Sequence, residues 1–121
     1  MAARTALVPT TLPRLPDMTP TANAADVAMV ASDIANGNVV PYTGKEVLIA
    51  HNDDVGAVTI TIAGNADAIG RTGSITAYSI GAGEIAVFDL SHPVFNTLGY
   101  INIDASDADL MVGVAIVASM P

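Results

Sequence analysis

The chain has 121 residues, 51% of them hydrophobic and 13% charged, and its twelve acidic and four basic side chains give a net charge of −8. This balance argues against nucleic acid and anionic membranes as partners, because both bind lysine- and arginine-rich surfaces. The chain has no cysteine, which excludes disulfides and thiolate metal sites. We also expect no membrane span and no signal peptide, since no apolar run reaches about 18 residues and no basic segment precedes an apolar one. The low charge predicts that another chain covers part of the apolar surface.

The N-terminal part of the chain is predicted to be an extended arm. Four of the seven prolines fall within the first twenty residues. Proline fixes φ, removes an N–H group and disfavours helix in the residue before it. The proline-free stretch RTALV (4–8) is suited to adding a strand to a sheet edge. We therefore divide the chain into an extended proline-rich arm at 1–24 and a single β domain at 25–121.

The β domain is recognised by short apolar runs separated by turns. The stretch 24–36 is ambiguous between one short helical turn and an extended segment. From residue 45 onward, alternating or apolar runs are joined by glycine, aspartate and asparagine turns, which indicates an all-β fold: an antiparallel β-sandwich or jelly-roll-like body. The last run is apolar at nearly every position, so we expect it between two layers or at a subunit contact. The six predicted strands are 46–51, 57–63, 74–80, 84–90, 100–105 and 110–119.

The arm is also predicted to be the partner-binding element. Burial of its side chains does not offset the entropy lost on ordering it, so it needs backbone pairing along a sheet edge. We favour pairing with another chain and keep packing across its own sandwich as the alternative. An arginine stands between two glycines in GRTG and is suited to a bidentate pair with a neighbour's carboxylate, the alternative being a local pair with Asp67 or solvent exposure. The predicted partner-binding residues are Arg4, Thr5, Ala6, Leu7, Val8, Leu12, Leu15 and Arg71.

Three short stretches contain residue types that are found in catalytic, metal-binding or phosphate-binding sites. DLSHP (89–93) holds an aspartate, a serine and a histidine, but near neighbours on an extended chain point in different directions and do not form a triad. DASDAD (104–109) resembles a calcium loop in its carboxylates, but Asp109 and Ala115 stand where an EF-hand needs glycine and glutamate. GNADAIGRTGS (64–74) lacks the lysine of a phosphate-binding loop. We therefore predict no catalytic, cofactor or metal site, and a protein that is not an enzyme.

Several stretches resemble small structural proteins of tailed-bacteriophage virions. They are ARTALVPTTLP, TANAADVAM, TGKEVLIAHN, VTITIAG and GRTGSITAYSIGAGEIAVF, and the resemblance covers roughly residues 3–90. It is strongest to capsid (head) decoration, or cement, proteins. It implies a protein made in the host cytoplasm that sits on the capsid exterior, often as a homotrimer, and clamps neighbouring subunits of the major capsid protein through its N-terminal arm.

Two other functions stay open from the sequence. The protein could be a tail-tube, head–tail connector or fibre-base component of the virion. It could also be a carbohydrate-binding jelly-roll module, although such sites usually present exposed aromatic rings, and the chain has three tyrosines, two phenylalanines and no tryptophan.

Overall fold

Residues 4–11, 26–65, 69 and 73–116 are described by a computed structural model. Within them the regular structure is ten strands and one 3-10 turn, Pro93–Phe95. No helix in these ranges is long and apolar enough to cross a membrane. The strands are β1 (Thr5–Ala6), β2 (Thr10–Thr11), β3 (Val30–Ala31), β4 (Asn38–Pro41), β5 (Glu46–Asn52), β6 (Val58–Ile62), β7 (Ile75–Ile80), β8 (Ile85–Asp89), β9 (Tyr100–Ala105) and β10 (Leu110–Ile116).

The strands form two packed sheets. The first sheet has the order β1-β4-β9-β6-β7, and the second has the order β2-β10-β5-β8, with β3 also pairing to β10. The pairings among the eight strands β3 to β10 are all antiparallel. The predicted all-β sandwich is confirmed.

Alternation of side chains explains both the strands and the core. In β6, Val58, Ile60 and Ile62 are buried while the two threonines between them face outward, as the period of two requires. The six predicted strands are all present, within one residue at each described end. The last is described only to Ile116, and residues 117–119 of that prediction lie outside the described part. The fully buried aliphatic side chains are Val40, Leu48, Ala50, Ile60, Ile62, Leu90, Ile101, Leu110, Val112 and Val114.

The N-terminal segment 4–11 crosses from one sheet to the other. β1 pairs parallel to β4, and β2 pairs parallel to β10. Between them lies the Leu7 side chain, which is only 4% exposed. These two parallel pairings depart from the antiparallel expectation, because no hairpin fixes the direction of this segment. Residues 4–11 of the predicted arm thus pair with both sheets of the sandwich, and the predicted boundary between residues 24 and 25 lies outside the described residues.

Buried polar side chains hold the loops at the ends of the strands. The Asn52 amide donates to the carbonyl oxygens of Gly56 and Ile80, each over 2.8 Å, and its oxygen accepts from the Asp54 N–H over 2.9 Å. The buried Glu46 carboxylate accepts from the backbone N–H of Thr43. Among the described residues, every buried side-chain nitrogen and oxygen has a hydrogen-bond partner, so these groups are satisfied where they lie.

Candidate functional site

The outer face of the first sheet is polar. Its central strands β6 and β9 alternate between buried aliphatic residues and half-buried polar ones. The register pairs Thr61 with Asp104 and Thr59 with Ser79, and all four belong to the outward set. Two apolar residues of β4 belong to this outward set: Val39, paired with Asn102, and Pro41, paired with Tyr100. A face of this composition is suited to water.

The outer face of the second sheet is apolar. The positions of β5, β8 and β10 that alternate with the core carry mainly aliphatic side chains, in register with one another. Ile85 and Val87 on β8 are 64% and 63% exposed. Exposure is greatest on β8 and falls across the sheet: the outward residues of β5 and Met111 are half-buried, and Gly113 and Ala115 are buried. The side chains of Val27 and Met29 of the same chain lie against Gly113. The exposed apolar part, on β5 and β8, is therefore the candidate interaction surface. The outward residues are Val47, Ile49, His51, Ile85, Val87, Asp89, Met111, Gly113 and Ala115.

The sandwich is open along the side where β7 and β8 lie. These are the last strands of the two sheets, and the Gly81–Gly83 turn connects them. A groove of about 600 Å³ runs between them. The Tyr78 and Phe88 rings meet edge to face across it, with centroids 5.5 Å apart. The opposite side is closed by the N-terminal segment 4–11.

The N-terminal segment is held by contacts within its own chain. Arg4 Nη1 lies 2.9 Å from Asp104 Oδ1, and the Thr5 hydroxyl donates to the Asp33 carboxylate. The Thr5 and Leu7 N–H groups donate to backbone carbonyls over 3.0 and 2.8 Å. The hydrogen bond from Thr5 is the largest of the interactions that lower the pKa of Asp33.

The described members of the predicted partner-binding set make contacts within their own chain. Arg4, Thr5, Ala6 and Leu7 pair with or pack into their own domain, which is the alternative that the sequence left open. Val8 is 80% exposed and borders a shallow cavity of about 170 Å³. Three predicted contacts lie outside the described residues: Leu12, Leu15 and Arg71.

Three carboxylates converge at the turn between β9 and β10. Oxygens of Asp54, Asp107 and Asp109 all lie within 4.8 Å of one another. Repulsion from Asp107 is the main cause of a raised pKa at Asp109, followed by desolvation and by Asp54 and Asp53. Asp104, which the sequence grouped with this cluster, lies on the first sheet beside Arg4 instead. Exposed acidic groups of this kind are common in proteins without a bound ion, and the cluster alone does not define a metal site.

The residues of DLSHP make local turn contacts. His92 Nδ1 accepts from the Val94 N–H over 3.0 Å and caps the 3-10 turn. Asp89 Oδ1 accepts from the Ser91 N–H over 3.0 Å, and this serine is the main cause of a lowered pKa at Asp89. The described hydrogen bonds do not link the three side chains into a relay.

Sequence reasoning missed the difference between the two outer faces. The sequence nevertheless carries a signal for this difference. VTITI has threonine in one phase, whereas EIAVFDL has apolar residues in both phases, since Ile85 and Val87 alternate with Ala86 and Phe88. A strand that is apolar on both faces is expected to be covered on both. The argument applies to this strand as well as to the last one.

No family model, curated protein or solved structure matches this chain.

Proposed function

We propose that this chain is a non-enzymatic structural protein of a tailed-phage virion, which decorates the capsid exterior and stabilises the shell. Its partners in this proposal are the major capsid protein and further copies of itself, with a homotrimer as the expected assembly. The sequence resemblance supports the placement in a virion. The arrangement of the two outer faces supports a role in assembly more strongly than the described side chains support a catalytic role.

The single observation that carries the proposal is the contrast between the two outer faces. Ile49, at the middle of the second sheet, and Asn102, at the middle of the first, occupy equivalent outward positions on internal strands. One face is apolar and the other polar. A protein with this asymmetry gains free energy by turning the apolar side onto a partner, at about 25 cal/mol per Å² of apolar surface removed from water. A coat on a capsid needs that geometry, with one side bound and the other in water.

The N-terminal segment has a modified role in this proposal. Because Arg4 and Leu7 contact their own domain, we do not place the clamp on these two residues. These residues close one side of the sandwich and so support the binding face. Val8 stays available for contact with a neighbour.

The proposal is tested with heads of the phage that encodes the chain, prepared with and without this protein. We expect the purified chain to bind the deficient heads in a sedimentation assay, to appear on the capsid exterior when gold-labelled, and to raise the temperature at which the heads release DNA. Labelling confined to tails, or no binding to either part of the particle, would overturn the assignment.

A matched pair of variants tests the binding face. Ile49→Glu places a charge on the apolar face and should abolish binding to heads. Asn102→Glu places the same charge at the equivalent position of the polar face and should leave binding intact. Circular dichroism and thermal unfolding establish that both variants fold, and Ile49→Thr, which keeps a β-branched side chain, serves if Ile49→Glu does not. Equal binding by the two glutamate variants would exclude the second sheet as the contact.

A further inference from the structure

The β8 strand is an unprotected sheet edge. It has five residues in an unbroken antiparallel ladder with β5 and no described neighbour on its other side. The edge at β7 differs, because its register shifts against β6 and Ala77 adopts a φ of +50°. Bulges, prolines and lysines are among the features that block edge-to-edge pairing, and β8 contains none of these three. Its one charged residue, Asp89, lies at the end of the strand. It is therefore the described edge best suited to accept another strand.

The free edge of β8 presents a regular set of backbone groups. The Leu90 N–H donates to the Glu46 carbonyl over 3.0 Å at the end of the ladder. Hydrogen-bonded pairs alternate along an antiparallel ladder, so the even-numbered residues of β8 bond to β5. The odd-numbered residues point their N–H and C=O groups away from it. They are Ile85, Val87 and Asp89.

The outward N–H and C=O groups of one β8 strand can pair with the same groups of a second β8 strand. If two β8 strands run antiparallel about a two-fold axis at Val87, then Val87 lies opposite Val87 of the second copy, and Ile85 lies opposite the second copy's Asp89. All three odd-numbered residues then form hydrogen-bonded pairs. The exposed side chains of Ile85 and Val87 pack along the same continuous outer face.

The charges also fit this register. His51 and Asp89 are the titratable side chains among the described outer-face residues of β5, β8 and β10, and His51 is paired with Ile85. The two-fold axis places Asp89 in the same cross-strand row as the second copy's His51, two strand spacings or about 10 Å away. The two Asp89 carboxylates lie about 14 Å apart along the strand direction, beyond the screening length of about 10 Å at 0.1 M salt. The chain as a whole has a net charge of −8. At this edge, however, the two Asp89 carboxylates on the outer face are far enough apart to repel each other little.

We propose that β8 is a self-association strand, which joins two copies of this chain into a continuous second sheet through an antiparallel β8–β8 ladder centred on Val87. The inference goes beyond the proposed function, because a two-fold contact joins two copies and cannot itself build the homotrimer. A two-fold contact of this kind joins two free chains, or two chains that belong to neighbouring trimers on a capsid.

Cysteine substitution tests the contact directly, because the natural chain has no cysteine. The hydrogen-bonded pair at Val87 implies a Cα separation of about 5.5 Å, inside the range of about 4.4–6.8 Å that a disulfide spans. We expect Val87→Cys to form a disulfide-linked dimer several-fold faster than Val55→Cys on oxidation in free solution. Val55 is the matched control because it is 97% exposed in a loop.

A second measurement fixes the register. An equimolar mixture of Ile85→Cys and Asp89→Cys should give a mixed disulfide dimer, whereas neither variant should crosslink efficiently alone. Adding Val87→Pro to both should abolish the product, since proline is tolerated where the edge N–H points to solvent but cannot donate to a second strand. Val87→Lys is the substitute if the proline variant does not fold.

Two results would overturn the proposal. One is a Val87→Cys rate no higher than that of Val55→Cys. The other is efficient crosslinking of Ile85→Cys with itself, which indicates a different register or direction. These measurements use no capsids, so their failure is separate from a failure of head binding.

Discussion

Arg4 and Asp104, one hundred residues apart in the sequence, join the N-terminal segment to the first sheet through two hydrogen bonds of 2.9 and 3.2 Å. The same guanidinium lies 3.3 Å from the carbonyl oxygen of Asn38. Gly37 makes room for it: its φ of +78° favours glycine, and a Cβ there would collide with the Arg4 side chain. The side chains of the pair are 33% and 48% exposed, so their attraction is partly screened.

The first prediction concerns this pair. Arg4→Ala and Asp104→Ala should each lower the free energy of unfolding by about 1 kcal/mol or less, since exposed ion pairs contribute little. Arg4→Lys should behave like Arg4→Ala, because lysine keeps the charge but not the two-pronged geometry. A double-mutant cycle by urea unfolding measures the coupling. Fully additive losses would mean that the pair is not coupled.

The second prediction concerns Leu7, which fills the space between the sheets. Leu7→Ala should destabilise the protein by about 2–5 kcal/mol, the range for large-to-small changes in a core. Val8→Ala is the control, because the neighbouring side chain is 80% exposed and its loss should change stability by less than about 0.5 kcal/mol. Equal effects in thermal unfolding would contradict the position of Leu7 in the core.

The third prediction concerns the acidic cluster. A carboxyl whose folded pKa is raised, as at Asp109, destabilises the fold above that pKa, and the penalty disappears as pH falls towards its unfolded value. Asp109→Asn should therefore raise the melting temperature at about pH 7, and the gain should vanish below about pH 4. Asp26→Asn, an exposed change of the same charge, is the control. A gain that persists in acid would assign the effect to something other than the repulsion from Asp107.

The fourth prediction concerns Asn52, whose side chain ties two loops to the core. Asn52→Ala removes the donors that reach the Gly56 and Ile80 carbonyls and should cost about 1–3 kcal/mol. Asn52→Asp should cost more, because it buries a negative charge facing carbonyl oxygens. Asn102→Ala, on the polar outer face, should change stability little. Chemical unfolding of the three variants gives the comparison.

The sequence predicted the strands whose side chains alternate and missed those set by distant contacts. VTITI and YINIDA (100–105) carry the period of two and were placed to within one residue. β3 has two residues, and the four residues of β4 include Pro41, so neither carries a readable period. The position of Arg4 depends on Asp104, which is far away in the chain, and no local pattern encodes that pairing. The apolar outer face, by contrast, has a local signal, because EIAVFDL carries apolar residues at both alternating sets of positions.

The parallel pairing of β2 with β10 joins two segments that lie far apart in the sequence, with Thr10 beside Ala115. β2 has no partner in the second sheet until β10 has been synthesised, so this sheet is completed only after all the intervening strands have left the ribosome. Until β10 is made, the apolar side chains of β5 lack their largest neighbour in that sheet. We therefore expect the second sheet to form late and folding to be slow for a domain of this size, with the nascent ribbon of β5 and β8 as the species most exposed to aggregation.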